Sequence, residues 1–138
     1  MTSGYSGTPL AKKLGVKESQ RTWRYQMPAS VTEELQASGI KPALLKTPAS
    51  GLDMAHIFVT AKSDLAAKLL QLRPLLEPAG VIWVSWPKKA AKLPTDITEH
   101  LARELAFPLG LVDIKVCAVD ETWTALKLVI RKSERTPN

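Results

Sequence analysis

A chain of 138 residues is long enough for one domain built on a single core. Its 45% hydrophobic and 23% charged residues exclude a disordered or low-complexity chain, and no apolar run approaches the roughly 20 residues of a membrane span. The net charge of +6 is uneven: the first 50 residues carry +4, from Lys12, Lys13, Lys17, Arg21, Arg24, Lys41 and Lys46 against Glu18, Glu33 and Glu34. Such a segment suits nucleic acid or an acidic partner, or simply a solvated face.

Residues 1–7 are rich in Gly and Ser and are expected to form a flexible arm. Thr8-Pro9 opens a short helix, with Leu10 and Leu14 on one face and Gly15 as its stop. Residues 21–27 alternate Trp23, Tyr25 and Met27 with Arg24 and Gln26, the pattern of a half-buried strand. Ser30-Val-Thr-Glu33 reads as a capping box for a helix that ends at Gly39. Ile40–Lys46 is a weaker strand, interrupted by Pro42. Ala55–Thr60 is an apolar strand, and Ser63 caps a helix with Leu65, Leu69, Leu72 and Leu76 at helical spacing, finished by Pro74.

Val81–Trp86 is the next strand and Lys88–Leu93 a basic loop. Asp96-Ile-Thr-Glu99 reads as a second capping box, with Thr95 as the alternative cap, for a helix facing Ile97, Leu101 and Leu105 inward and broken at Gly110. Leu111–Val119 and Trp123–Arg131 form two strands about a turn at Asp120-Glu121. Strand–helix alternation predicts an α/β, Rossmann-like domain over residues 8–132. It has a mainly parallel sheet with helices on both faces, a C-terminal antiparallel hairpin and a polar tail at 133–138. The lone Cys117 excludes an internal disulfide. No secretory signal is visible, so a cytoplasmic location is expected.

The stretch Leu72-Arg-Pro-Leu-Leu-Glu-Pro-Ala-Gly80, followed by Val81–Trp86 and Pro87-Lys88-Lys89, resembles the fourth-to-fifth strand region of class I methyltransferases. The chain also resembles an uncharacterised bacterial family of about this length. That likeness rests on Tyr5-Ser-Gly-Thr-Pro-Leu-Ala-Lys-Lys-Leu-Gly15, Trp83-Val-Ser-Trp-Pro-Lys-Lys89, Pro94-Thr-Asp-Ile-Thr98 and Leu109–Trp123, and covers residues 16–60 poorly. It implies a methyltransferase-like fold and attaches no activity. Adenosyl-binding domains place a Gly-rich turn after the first strand and an acidic residue at the end of the second. Here the first position reads Met27-Pro28-Ala29-Ser30 and the second Lys46-Thr47-Pro48.

Open α/β sheets bind ligands beyond the carboxyl ends of their strands. The candidates there are Ser30 at a helix start for an anion, Trp86 for stacking, Lys88 and Lys89 for phosphate, and Asp120 and Glu121 for a sugar or amine. Each has a plainer role: Trp86 as packing, the lysines as a solvated loop, and Asp120-Glu121 as the hairpin turn. Trp83 reads as core, and His56, inside an apolar strand, as a satisfied core or partner-facing group. His56, His100 and Cys117 have no metal-ligand spacing. No metal, cofactor or catalytic residue is expected.

The leading expectation is a small non-catalytic binding domain, taking a ligand or a protein partner at the strand carboxyl edge. A reduced S-adenosylmethionine-dependent enzyme, with Lys88, Asp120 and Glu121 lining the site, is the alternative. A nucleic-acid module using the basic N-terminal segment is the second. Trp23 and Tyr25 offer an apolar face that helices or a second copy in a homodimer would cover.

Overall fold

A computed structural model describes residues 8–135; the expected arm over 1–7 and the last three tail residues lie outside them. In chain order the elements are α1 (Leu10–Leu14), β1 (Arg21–Tyr25), α2 (Ala29–Gln36), β2 (Ala43–Leu44), β3 (Leu52–Phe58), α3 (Lys62–Leu72), β4 (Leu76–Pro87), α4 (Glu99–Ala106), β5 (Leu111–Ala118) and β6 (Trp123–Ile130). They form one six-stranded sheet in the order β2-β1-β3-β4-β6-β5. The first four positions in that order pair in parallel, and β6 runs antiparallel to both β4 and β5. The expected α/β sheet with a closing hairpin is therefore present.

Helices cover both faces because the central strands are apolar on both sides. Along β3, Ala55 and Ile57 point into one core with Leu65, Leu69 and Leu72 of α3 and with Ala102 and Ala106 of α4. Met54 and Phe58 point the other way, against Leu10 and Leu14 of α1 and Val31 and Leu35 of α2. The three α3 leucines have no exposed surface. Burying each contributes roughly 1.5–3 kcal/mol before entropy is counted. Trp23 joins the α3/α4 core and is 8% exposed, so of the two covers expected for this strand face, helices of the chain itself are present.

Several local readings shift. Leu76 begins β4 instead of closing α3, because a 3-10 turn at Arg73–Leu75 ends the helix and turns the chain into the sheet. Pro28 and Ala61 occupy the cap positions of α2 and α3, so neither Ser30 nor Ser63 caps its helix. Thr98 caps α4, its Oγ1 accepting the Leu101 amide at 3.1 Å, in place of Asp96 or Thr95. The inward residues of α4 are Ala102 and Ala106, with Leu101 and Leu105 half-buried beside them. The tail starts with a 3-10 turn at Lys132–Glu134, and Arg135 Nε donates to Ile130 O at 2.8 Å.

Gly110 joins α4 to β5 at φ 78°, a left-handed conformation that strains residues bearing a Cβ. Its carbonyl accepts the Arg131 amide at 2.7 Å, which fixes where the hairpin begins.

Candidate functional site at the carboxyl edge of the sheet

From β1 the chain crosses to β2 on one side, and later returns to β3 and β4 on the other. The order reverses between β1 and β3, and the crevice beyond their carboxyl ends is where such sheets bind ligands. This chain bridges that crevice with its own side chains. Tyr25, the last residue of β1, donates its hydroxyl to Asp64, 3.1 Å from Oδ2 and 3.3 Å from Oδ1. Asp64 lies in the first turn of α3, where the helix dipole favours a carboxylate. Lys68, one turn on, reaches Asp64 at 3.4 Å and sits 4.4 Å over the Tyr25 ring.

The turn after β1 contains no glycine. Gln26 takes φ 54°, a conformation that glycine adopts far more readily, and Met27 packs against the α1/α2 core. The segment after β4 then crosses the end of β3. Thr95 Oγ1 donates to Thr60 O at 2.6 Å, and Asp96 Oδ1 accepts the Lys62 amide at 2.7 Å. Asp96, read in sequence as the opening of its own helix, thus supplies the missing cap of α3 from 34 residues away. Asp96 and Asp64 thus place two carboxylates at the amino end of α3.

The six expected site residues separate into three settings. Lys88, Lys89, Asp120 and Glu121 share one corner, because the Lys88 amide donates to Thr122 O at 2.8 Å and ties the basic loop to the hairpin turn. Asp120 is engaged there by the backbone: its Oδ1 accepts the amides of Thr122 and Trp123, both at 2.8 Å. This is the turn role that its residue type favours. Lys89 and Glu121 are exposed. Trp86, 6% exposed, belongs to the α3/α4 core and presents no open stacking face. Ser30 is exposed on α2, two strands away from β4.

Sequence reasoning missed Tyr25, Asp64 and Lys68 as a group. The available signal was the Asp64/Lys68 spacing of four on a helix, which pairs opposite charges on one face. It also left His56 without its partner. His56 is 1% exposed, its Nε2 lies 2.7 Å from Ser85 Oγ on β4, and its ring stacks on Phe58 with centroids 4.5 Å apart. Burial, with Arg24 nearby, lowers its pKa to about 3, so the imidazole is neutral. Trp83 beside it is fully buried, and its Nε1 donates to Leu14 O at 2.9 Å, fastening α1 to the sheet.

Solved structures share the sheet architecture. A SAM dependent methyltransferase from Aquifex aeolicus superposes with a TM-score of 0.59 at 15% identity, over 88% of each chain. The ribosomal protein L11 methylase from Lactobacillus delbrueckii subsp. bulgaricus gives 0.54 at 13%, over 88% of this chain and 75% of its own. LepI in complex with SAM gives 0.56 at 13%, over 94% of this chain. The fold is that of the SAM-dependent methyltransferases.

At these identities the likeness concerns the fold, and this chain spans only 41% of LepI. No protein-family model matches the chain, and no curated protein does. The resemblance to an uncharacterised bacterial family therefore rests on its sequence blocks alone. Among the described residues, no helix is long and apolar enough to cross a membrane.

Proposed function

We propose that this chain is a non-catalytic binding domain that keeps the methyltransferase sheet and engages a protein partner at its carboxyl edge. The observation that carries this reading is the Tyr25–Asp64–Lys68 network, which lies across the crevice where such sheets take a cofactor. The turn of Gln26, Met27 and Pro28 adds to it: no glycine lets the backbone approach a ligand closely. What remains open at this edge is charged and exposed. Lys89, Lys92 and Leu93 are exposed on the loop after β4, and Glu121 is exposed on the hairpin turn to which Lys88 ties that loop. Lysines around an exposed leucine suit an acidic partner with an apolar contact.

The test is calorimetric titration with S-adenosylmethionine and S-adenosylhomocysteine. No binding is the expected result. Saturable binding of either would overturn the reading in favour of the enzyme alternative, which draws on the fold likeness alone.

A further inference from the structure

A cavity of about 330 Å³ lies on the flank of the sheet under the end of α2, away from the carboxyl edge. Its walls are Leu35 and Gln36 of α2, the connection through Gly39, Ile40, Lys41 and Pro42, Leu44 of β2, and Arg24 of β1. This volume is at the small end of ligand sites. Leucine, isoleucine and proline make most of the wall apolar. The two charged residues in it are both cations, and no carboxylate lines it.

Arg24 is the unusual member. It is half-buried, and burial holds its guanidinium below the ordinary arginine range. Arginine so placed normally faces a carboxylate. Among the described residues, the ion pairs are those of Asp64, Glu99, Glu104, Asp113 and Glu134, and none involves Arg24. Among the described residues no buried side-chain nitrogen or oxygen lacks a hydrogen-bond partner, so the unpaired N–H groups of Arg24 reach open space. Behind it, the neutral His56 supplies no compensating charge.

We infer that this cavity binds a small organic acid with an apolar body, its carboxylate held by Arg24 and its hydrocarbon part lying against Ile40, Pro42 and Leu44. The guanidinium presents a planar fork of donors that matches a carboxylate in two parallel bonds. Lys41, exposed at the rim, adds a second positive charge. An uncharged molecule of the same shape would leave Arg24 unpaired. A bare anion would leave the apolar wall wet. The site does not depend on what occupies the carboxyl edge.

The experiment is a titration of isotope-labelled protein with octanoate, followed by amide chemical shifts, with octanol and acetate as controls. Saturable shifts centred on Arg24 and residues 35–44 are expected, with octanol and acetate each at least about tenfold weaker. Arg24→Gln is expected to weaken octanoate about tenfold or more while leaving octanol unchanged. Leu44→Glu, at a site already 55% exposed and so compatible with folding, is expected to abolish octanoate binding, and it decides the matter if Arg24→Gln fails to fold. Equal affinity for octanol, unchanged affinity in Leu44→Glu, shifts centred on the carboxyl edge, or no saturable shift would each overturn the proposal.

Discussion

The face beneath α1 and α2 and the carboxyl edge of the same sheet handle polar groups in opposite ways. Beneath the helices, His56 and Ser85 satisfy each other in a dry setting, Trp83 donates its N–H to Leu14 O, and Arg24 beside them has no ion-pair partner among the described residues. At the carboxyl edge, Tyr25, Asp64, Asp96 and Asp120 all have partners, and those partners are the chain itself. These polar groups of the carboxyl edge are thus satisfied within the chain, while among the described residues Arg24 on the flank has no ion-pair partner. A shared architecture leaves such sites free to differ, since one fold serves several functions.

The largest effects are expected beneath the helices. Trp83→Ala removes a fully buried indole and the bond that fastens α1, and is expected to cost roughly 3–5 kcal/mol in denaturant unfolding. A loss below about 1 kcal/mol would mean that α1 holds without it. Acid is the second probe. His56 has a folded pKa of about 3, below the ordinary 6.5 of an unfolded histidine, so the unfolded state binds more protons between those values. Its contribution is complete above pH 6.5 and is lost as pH falls toward 3. The loss amounts to several kcal/mol by linkage. Asp113, whose carboxyl the Arg103 hydrogen bond holds below the usual range, contributes in the same direction at lower pH. Stability that stays flat from pH 7 to 4 would contradict the buried neutral imidazole.

Smaller effects are expected at the edge. Asp96→Ala leaves the amino end of α3 uncapped and is expected to cost about 1 kcal/mol in thermal or denaturant unfolding. No change would show that water replaces the carboxylate at no cost. Lys89→Ala, on an exposed loop, is expected to stay within about 0.5 kcal/mol of the parent. A larger loss would remove the lysine from the surface available to a partner and blur the contrast between the two regions.

The capping residues show how far local reading goes. The run Thr95-Asp-Ile-Thr-Glu99 announces a helix start, and a helix does begin there. Which helix each side chain caps is a different matter. Thr98 serves its own, and Asp96 serves α3, because the segment folds back over the end of β3. Asp120 was more legible: a turn between two apolar strands predicts a backbone-bound aspartate, and the structure has one. Trp86 could be read either way, since alternation puts Trp83 and Trp86 on opposite faces and only the packing of α1 and α2 on one side and α3 and α4 on the other shows that both faces are buried. Tyr25 read as part of an apolar strand face. Its hydroxyl became meaningful only when α3 brought Asp64 to it.

Periodicity and chain-breaking residues by themselves determined the succession of strands and helices, the stop at Gly15 and the turn at Gly110, and the closing hairpin, because these depend on backbone preference and on spacing within a few residues. Composition pointed to a folded chain with a sizeable apolar interior, which the structure divides between the two faces of the sheet, and the turn after β1 carries no glycine. Only the tertiary structure decided which strands are neighbours, that His56 meets Ser85, that Tyr25, Asp64 and Lys68 meet at the carboxyl edge, and that among the described residues no carboxylate pairs with Arg24. Those outcomes depend on pairs of groups tens of residues apart, whose meeting is set by sheet order and helix packing and carries no local signature.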